Sequence, residues 1–125
     1  MAKKERGGFM TSNGERKLDL LENMKGGRGT VTIERLLKEP KLNGKCKMYA
    51  KVIVAPESSI GYHEHQGDSE TYFILSGKGV YNDNHEKLLE VKPGDCTYTA
   101  SGRGHSLENT GTEDLTLMAL IIAIE

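Results

Sequence analysis

The chain has 125 residues, enough for one ordinary domain with one core. Its 17 Lys/Arg and 18 Asp/Glu leave a net charge of −1, so there is no electrostatic footprint for nucleic acid or an anionic membrane. Two cysteines fifty residues apart, Cys46 and Cys96, form neither a CxxC pair nor a disulfide framework. A reduced, cytoplasmic protein is expected.

Residues 1–29 are polar and glycine-rich and are expected to form a partly flexible N-terminal extension. Residues 1–30 hold seven Lys/Arg against four Asp/Glu, and Lys3, Lys4 and Arg6 read as a solvated tail. No apolar run follows those basic residues, so no signal peptide is expected. In RKLDLLENM, Leu18, Leu21 and Met24 fall near helical spacing, a helix-like patch, and Gly26-Gly27-Arg28-Gly29 then ends anything regular. That GGRG run could form an anion nest, but it lacks the Lys-Ser/Thr of a phosphate loop.

From Thr30 the texture changes to short strands separated by turn signals. TVTIERLL (30–37) and KMYAKVIVA (47–55) come first, with Met48, Ala50, Val52 and Val54 on one face as candidate core. ETYFILS (70–76) is apolar on both parities: Glu70, Tyr72 and Ile74 share one face, and Thr71, Phe73 and Leu75 the other. GKGVYND (77–83) and KLLEV (87–91) flank a hairpin turn holding His85, which reads as a surface residue. A Pro-Gly turn (92–95) leads into CTYTA, where Cys96 reads as a small core residue. SLEN and LTLMALIIAI end the series, with Asn109 tying down the turn that follows it. The last run is too short to span a bilayer. About eight strands at even spacing suggest an all-β sandwich or barrel. Two strands apolar on both faces call for a cover on the outer face: the 30–37 strand, a second subunit, or both. A homodimer is the expected assembly.

The chemistry concentrates in HEHQGDSE, residues 63–70. Side chains alternate along a strand, so His63 and His65 lie on one face and can converge on one ion. Gly67-Asp68 favours a bend, after which Glu70 opens the next strand and approaches from the side. A fourth ligand must come from elsewhere, and His85 and His105 are the histidines that remain.

The spacing His63-x-His65-x4-Glu70-x6-Gly77 resembles the first motif of the cupin family, and Gly94-x5-Ala100-x-Gly102-x2-His105-x3-Asn109 resembles the second. Two positions depart from the pattern: Glu57 stands where the family has glycine, and Ala100 where it has proline. The resemblance implies a jelly-roll β-barrel over residues 30–125 behind a short irregular or helical N-terminal segment. It also implies a divalent metal held by His63, His65, Glu70 and His105. Three imidazoles and a carboxylate would leave about two octahedral positions open to water, dioxygen or a chelating small molecule. Manganese or iron is favoured, with nickel, cobalt, zinc or copper also compatible.

Candidate catalytic residues are Tyr72, whose hydroxyl could lie near the metal or simply pack in the core, and Arg103, which could anchor a carboxylate or stay a solvated turn residue. The chain resembles the small single-domain, oxalate-decarboxylase-like cupins. The resemblance implies an enzyme acting on a small carboxylate such as oxalate. An iron dioxygenase, a sugar or sugar-phosphate isomerase and a non-catalytic binding module are the alternatives.

Overall fold

The structure, a computed structural model, describes residues 8–124, so the basic residues Lys3, Lys4 and Arg6 lie outside it. Ten strands follow in chain order: β1 (Leu18–Glu22), β2 (Thr30–Arg35), β3 (Cys46–Val54), β4 (Ser59–Glu64), β5 (Asp68–Ser76), β6 (Gly79–Asp83), β7 (Lys87–Val91), β8 (Cys96–Thr99), β9 (Gly104–Asn109) and β10 (Leu115–Ala123). They form a six-stranded sheet in the order β1-β2-β3-β10-β5-β8 and a four-stranded sheet in the order β4-β9-β6-β7. Every pairing is antiparallel. This is the jelly-roll layout expected from the sequence. Among the described residues, no helix is long and apolar enough to cross a membrane.

The core lies between the two sheets. Paired residues share a face, so Val54–Leu115, Val52–Leu117 and Ala50–Ala119 on β3 and β10 all point inward and are buried. Met48 packs against the same cluster. On β5, Tyr72 and Ile74 are buried beside them. Tyr81 and Leu107 close the core from the smaller sheet.

The N-terminal segment departs from its helical spacing. Leu18–Glu22 is a strand, paired residue for residue with Glu34–Thr30. Pairing with β2 satisfies the backbone of five residues whose leucines favour neither state strongly, so tertiary context decides. Asn23 and Lys25 then take left-handed conformations, φ 56° and 55°, which stop a helix from continuing. Residues 8–17 are irregular. Within them, Thr11 Oγ1 donates to Leu36 O (2.8 Å) and Arg16 pairs with the buried Glu34 (2.9 Å).

Two further expectations change. Strand β2 extends the large sheet sideways and does not cover its outer face, where Tyr49, Phe73, Leu75, Tyr98 and Ile122 remain exposed. Cys96 also sits on that outer face, opposite Phe73, and is exposed. The inward positions of β8 belong to Thr97 and Thr99, which pair with Tyr72 and Glu70.

The turn residues follow the motif. Asn109 donates Nδ2–H to Val54 O (2.9 Å) and Glu113 O (2.8 Å) and accepts from Gly111 N–H, so it ties the β9–β10 turn to β3. Glu57, standing in the family's glycine position, has φ 63°. The left-handed region costs a side-chain-bearing residue roughly 1–2 kcal/mol, part of which is offset because glycine loses more freedom on folding. Glu57→Gly should therefore stabilise the protein by about 1 kcal/mol. Chemical denaturation would show this as a higher midpoint with unchanged slope, and a lower midpoint would refute it.

Candidate metal centre

Three elements and one link bring the site together. His63 on β4 and His105 on β9 face each other as a cross-strand pair in the smaller sheet. Glu70 comes from β5 in the larger sheet, and His65 from the link just after β4. The Ser101–Arg103 turn clamps that link: His65 N–H donates to Arg103 O (3.0 Å) and Gly102 N–H to His65 O (2.6 Å). Gly102 does so at φ 87°, a conformation that suits glycine.

One donor atom from each of His63, His65, Glu70 and His105 lies within 4.8 Å of the other three, a group that could hold a metal ion. His105 Nε2 is 3.2 Å from both His63 Nε2 and His65 Nε2, while Glu70 Oε1 is 2.9 Å from His65 Nε2 and 3.1 Å from His105 Nε2. Neighbouring ligands at right angles, each about 2.1 Å from one ion, stand about 3.0 Å apart. The four separations just given already match that spacing.

The far nitrogen of every ring is anchored. His63 Nδ1 faces Gly61 O (2.8 Å), His65 Nδ1 faces Asp68 Oδ1 (2.8 Å), and His105 Nδ1 faces Thr99 Oγ1 (2.8 Å) with Tyr81 Oη at 3.2 Å. Asp68 is itself held by Lys47 Nζ (3.1 Å). Gly61 O and the Asp68 carboxylate only accept, so in the neutral rings of His63 and His65 they favour the proton on Nδ1 and leave the Nε2 lone pair that ligation requires. Three imidazole nitrogens and a carboxylate then converge on one point, an arrangement that suits a cation. The cupin fold and this His/Glu cluster together point to a divalent-metal site.

Electrostatics agree. Burial alone would raise the Glu70 carboxyl, but hydrogen bonds from His105 and His65 overcome it and hold Glu70 below its ordinary value, so it stays ionised. Burial holds His63 below its ordinary value. The Glu70 carboxylate lifts His65 above its own ordinary value, with Asp68 adding to the effect against burial. Without metal, both carboxylates favour a proton on His65, in the place a cation would take. Burial pushes the Tyr72 phenol well up, so it remains a donor. Its ring stacks on His105 at 5.0 Å, with Oη 3.5 Å from His105 Nε2. Burial also raises the Tyr81 phenol, against the opposing effect of the Thr99 and Thr97 hydroxyls beside it.

A pH dependence follows. His65 has a raised folded-state pKa, so its proton stabilises the metal-free protein below pH 6.5 and that contribution is lost as pH rises through the folded value. Metal must displace the same proton, which costs affinity about tenfold per pH unit below that value. His63, shifted down, needs no such displacement near neutrality. The gain in melting temperature at a fixed metal concentration should therefore grow between about pH 5.5 and pH 8. Thermal scans with and without metal would check this, and a flat or falling gain would contradict it.

The remaining sequence candidates sit apart from the cluster. The Arg103 guanidinium pairs with Glu86 at the surface (2.9 Å). His85 is in the β6–β7 turn at φ 61°, as expected, and its ring also stacks on Tyr62 at 3.7 Å. Sequence reading passed over Asp68, Thr99 and Tyr81. Asp68 lies three residues after His65 and had a usable signal in that spacing. Thr99 and Tyr81 come from different sheets and had none. The GGRG turn finds its role in packing: a Cβ on Gly27 would sit 2.3 Å from Ser59 O, and one on Gly61 would sit 2.2 Å from Lys25 O. The 24–27 turn thus lies backbone to backbone on the strand that carries His63.

Comparison with known proteins agrees with this geometry. The cupin-domain family model matches residues 50–122, more than half of the chain. An oxalate-binding protein of Thermotoga maritima is 40% identical over 121 residues, 97% of this chain and 99% of the relative. A crystal structure from Thermotoga maritima, described as a predicted oxalate decarboxylase, superposes with a TM-score of 0.88 at 39% identity, covering 92% of this chain and 99% of that one. A cupin 2 conserved barrel domain protein from Salinispora arenicola shares the fold, with a TM-score of 0.73 at 20% identity, covering 94% of this chain and 90% of that one. The chain belongs to the cupin family. Its described residues form one cupin domain.

Proposed function

We propose that this cupin takes a small carboxylate, of which oxalate is the simplest representative, at a divalent ion held by His63, His65, Glu70 and His105. The observation that carries this reading is the end-to-end similarity, 40% over 97% of the chain, to a relative named for oxalate binding. The anchored donor set supports it. Manganese or iron suits three imidazoles and one carboxylate best. The ion, when bound, supplies Lewis acidity toward the ligand's oxygens.

The chain's own residues do the rest. Glu70 offsets part of the cation's charge from the buried side. His63 is the least buried of the four and marks the side from which a ligand enters. Tyr72 keeps its proton and donates it to an anionic oxygen resting at the open positions.

Calorimetric titration of metal-loaded protein with oxalate tests the reading. Saturable binding with one site per chain, lost in His63→Ala, is expected, and no binding by the loaded wild type would overturn it. Turnover of the same ligand is a second reading, favoured by the protonated Tyr72 phenol beside the site. Cleavage of the oxalate carbon–carbon bond releases carbon dioxide and leaves formate, which needs one proton on its carbon. Tyr72→Phe should then keep oxalate binding and lose formate production.

A homodimer completes the proposal. It rests on the exposed outer face of the large sheet, where Tyr49, Phe73, Leu75, Tyr98 and Ile122 form an apolar patch. Light scattering at micromolar concentration should give about twice the 13.8 kDa chain mass, and Phe73→Glu should halve it. A wild-type mass equal to one chain would contradict this.

A further inference from the structure

We propose that Ile121 and Met48 are specificity-determining residues, an apolar wall on the open side of the cluster that selects a carboxylate with a short, uncharged aliphatic tail. This rests on the reading that a small carboxylate binds at the metal.

Register fixes which side is open. On the large sheet, Glu70 stands between Thr99 of β8 and Ile121 of β10. The β8 side is closed, since Thr99 and His105 are 1% and 0% exposed. The β10 side is not. Ile121 also pairs with Met48 of β3, so the two continue the inward row that starts at Glu70. One step deeper, the same strands contribute Tyr72, Ala119 and Ala50, all buried. At the level of Glu70, Ile121 and Met48 are only partly buried, as is His63 on the smaller sheet. The barrel therefore opens at these three side chains, and a ligand on its way to the cluster meets Ile121 and Met48.

The chemistry of that wall is one-sided. Directly paired strand residues have Cβ atoms roughly 5 Å apart, so Ile121 lies beside the stem of Glu70. Neither Ile121 nor Met48 can donate a hydrogen bond to an anion. The cations around them are committed elsewhere. Arg35, beside Ala50 on β2, pairs with Asp19. Lys47 pairs with Asp68, and Arg103 with Glu86. A second, unchelated carboxylate on the ligand would lose water against apolar carbon near Glu70 and gain no cation in return. An aliphatic tail would instead bury its own carbon there, and each methylene in an apolar pocket is worth about 10-fold or more in affinity. Oxalate and 2-oxo acids share a pair of oxygens on adjacent carbons, which one ion can chelate. A 2-oxo monocarboxylate with a short alkyl tail suits both the ion and the wall.

Calorimetry of the manganese-loaded protein with 2-oxovalerate and 2-oxoglutarate reads the wall directly. The two acids have the same chain length and differ in a terminal methyl or carboxylate. Wild type should bind 2-oxovalerate about 10-fold or more tightly. Ile121→Ala opens the wall to water, and that ratio should fall toward one. Leu120→Ala trims the opposite face of the same strand, where Leu120 pairs with Tyr49 and Thr71, and the ratio should hold. If Ile121→Ala does not fold, Met48→Ala is read in the same way. Wild type that binds oxalate but prefers 2-oxoglutarate, or takes neither 2-oxo acid, would overturn the proposal and leave the carboxylate reading standing. So would an unchanged ratio in Ile121→Ala. Loaded wild type that binds none of the three carboxylates would overturn both.

Discussion

Replacing His105 with alanine should abolish stoichiometric metal uptake and destabilise the protein at the same time. The ring is fully buried, and its Nε2 has three of the other donor atoms' contacts within 3.2 Å. Its loss removes the ligand that neighbours the other three and opens a cavity between the sheets. It also leaves Thr99 and Tyr81 only each other as partners, and each buried hydrogen bond lost costs about 1 kcal/mol or more. A total of about 3 kcal/mol corresponds to a fall in melting temperature on the order of 10 °C. His63→Ala separates the two effects. His63 is only partly buried and its anchor is a backbone carbonyl, so the metal-free variant should fold with nearly wild-type stability. Elemental analysis after dialysis should find both variants metal-free, and thermal scans should find only His105→Ala strongly destabilised. Metal retained at wild-type stoichiometry in either variant would refute the ligand assignment.

The second large effect is expected at Gly61. A Cβ there would lie 2.2 Å from Lys25 O, 2.6 Å from Gly27 N and 2.8 Å from Gly26 C, all backbone atoms that cannot swing aside. Overpacking of this kind costs up to about 3 kcal/mol or more. Gly61 O also anchors His63 Nδ1, so any shift that relieves the clash turns a ligand away from the site. Gly61→Ala should therefore lower the melting temperature by on the order of 10 °C and weaken metal binding about 10-fold or more. Gly26→Ala is the matched control. Gly26 has φ 82° but open space around its Cβ direction, so only about 1 kcal/mol of conformational strain is expected, with metal affinity kept. Equal effects from the two substitutions would show that the turn does not brace the metal strand.

The His63, His65, Glu70 and His105 cluster was legible in the sequence because three of its members fall within eight residues and strand alternation already puts His63 and His65 on one face. The partners behind them were not. Thr99 becomes the anchor of His105 only through the pairing of β5 with β8, which turns Thr97 and Thr99 inward and Cys96 and Tyr98 outward. Four residues of strand carry no signal for that choice. Strand β1 was hidden for a related reason. Leu18, Leu21 and Met24 fit helical spacing, and only the ladder to β2 and the left-handed residues Asn23 and Lys25 decide otherwise. Glu57 shows the converse, since its departure from the family glycine marks a real left-handed position. Local chemistry could be read from local spacing, and whatever depends on register between distant strands could not.

The most direct test of the central claim is an anomalous difference map, recorded at the metal edge, from crystals of the full chain equilibrated with manganese. One peak per chain is expected, about 2.0–2.3 Å from Nε2 of His63, His65 and His105 and from a carboxylate oxygen of Glu70. A map without a peak among those four atoms, or with manganese bound elsewhere in its place, would contradict it.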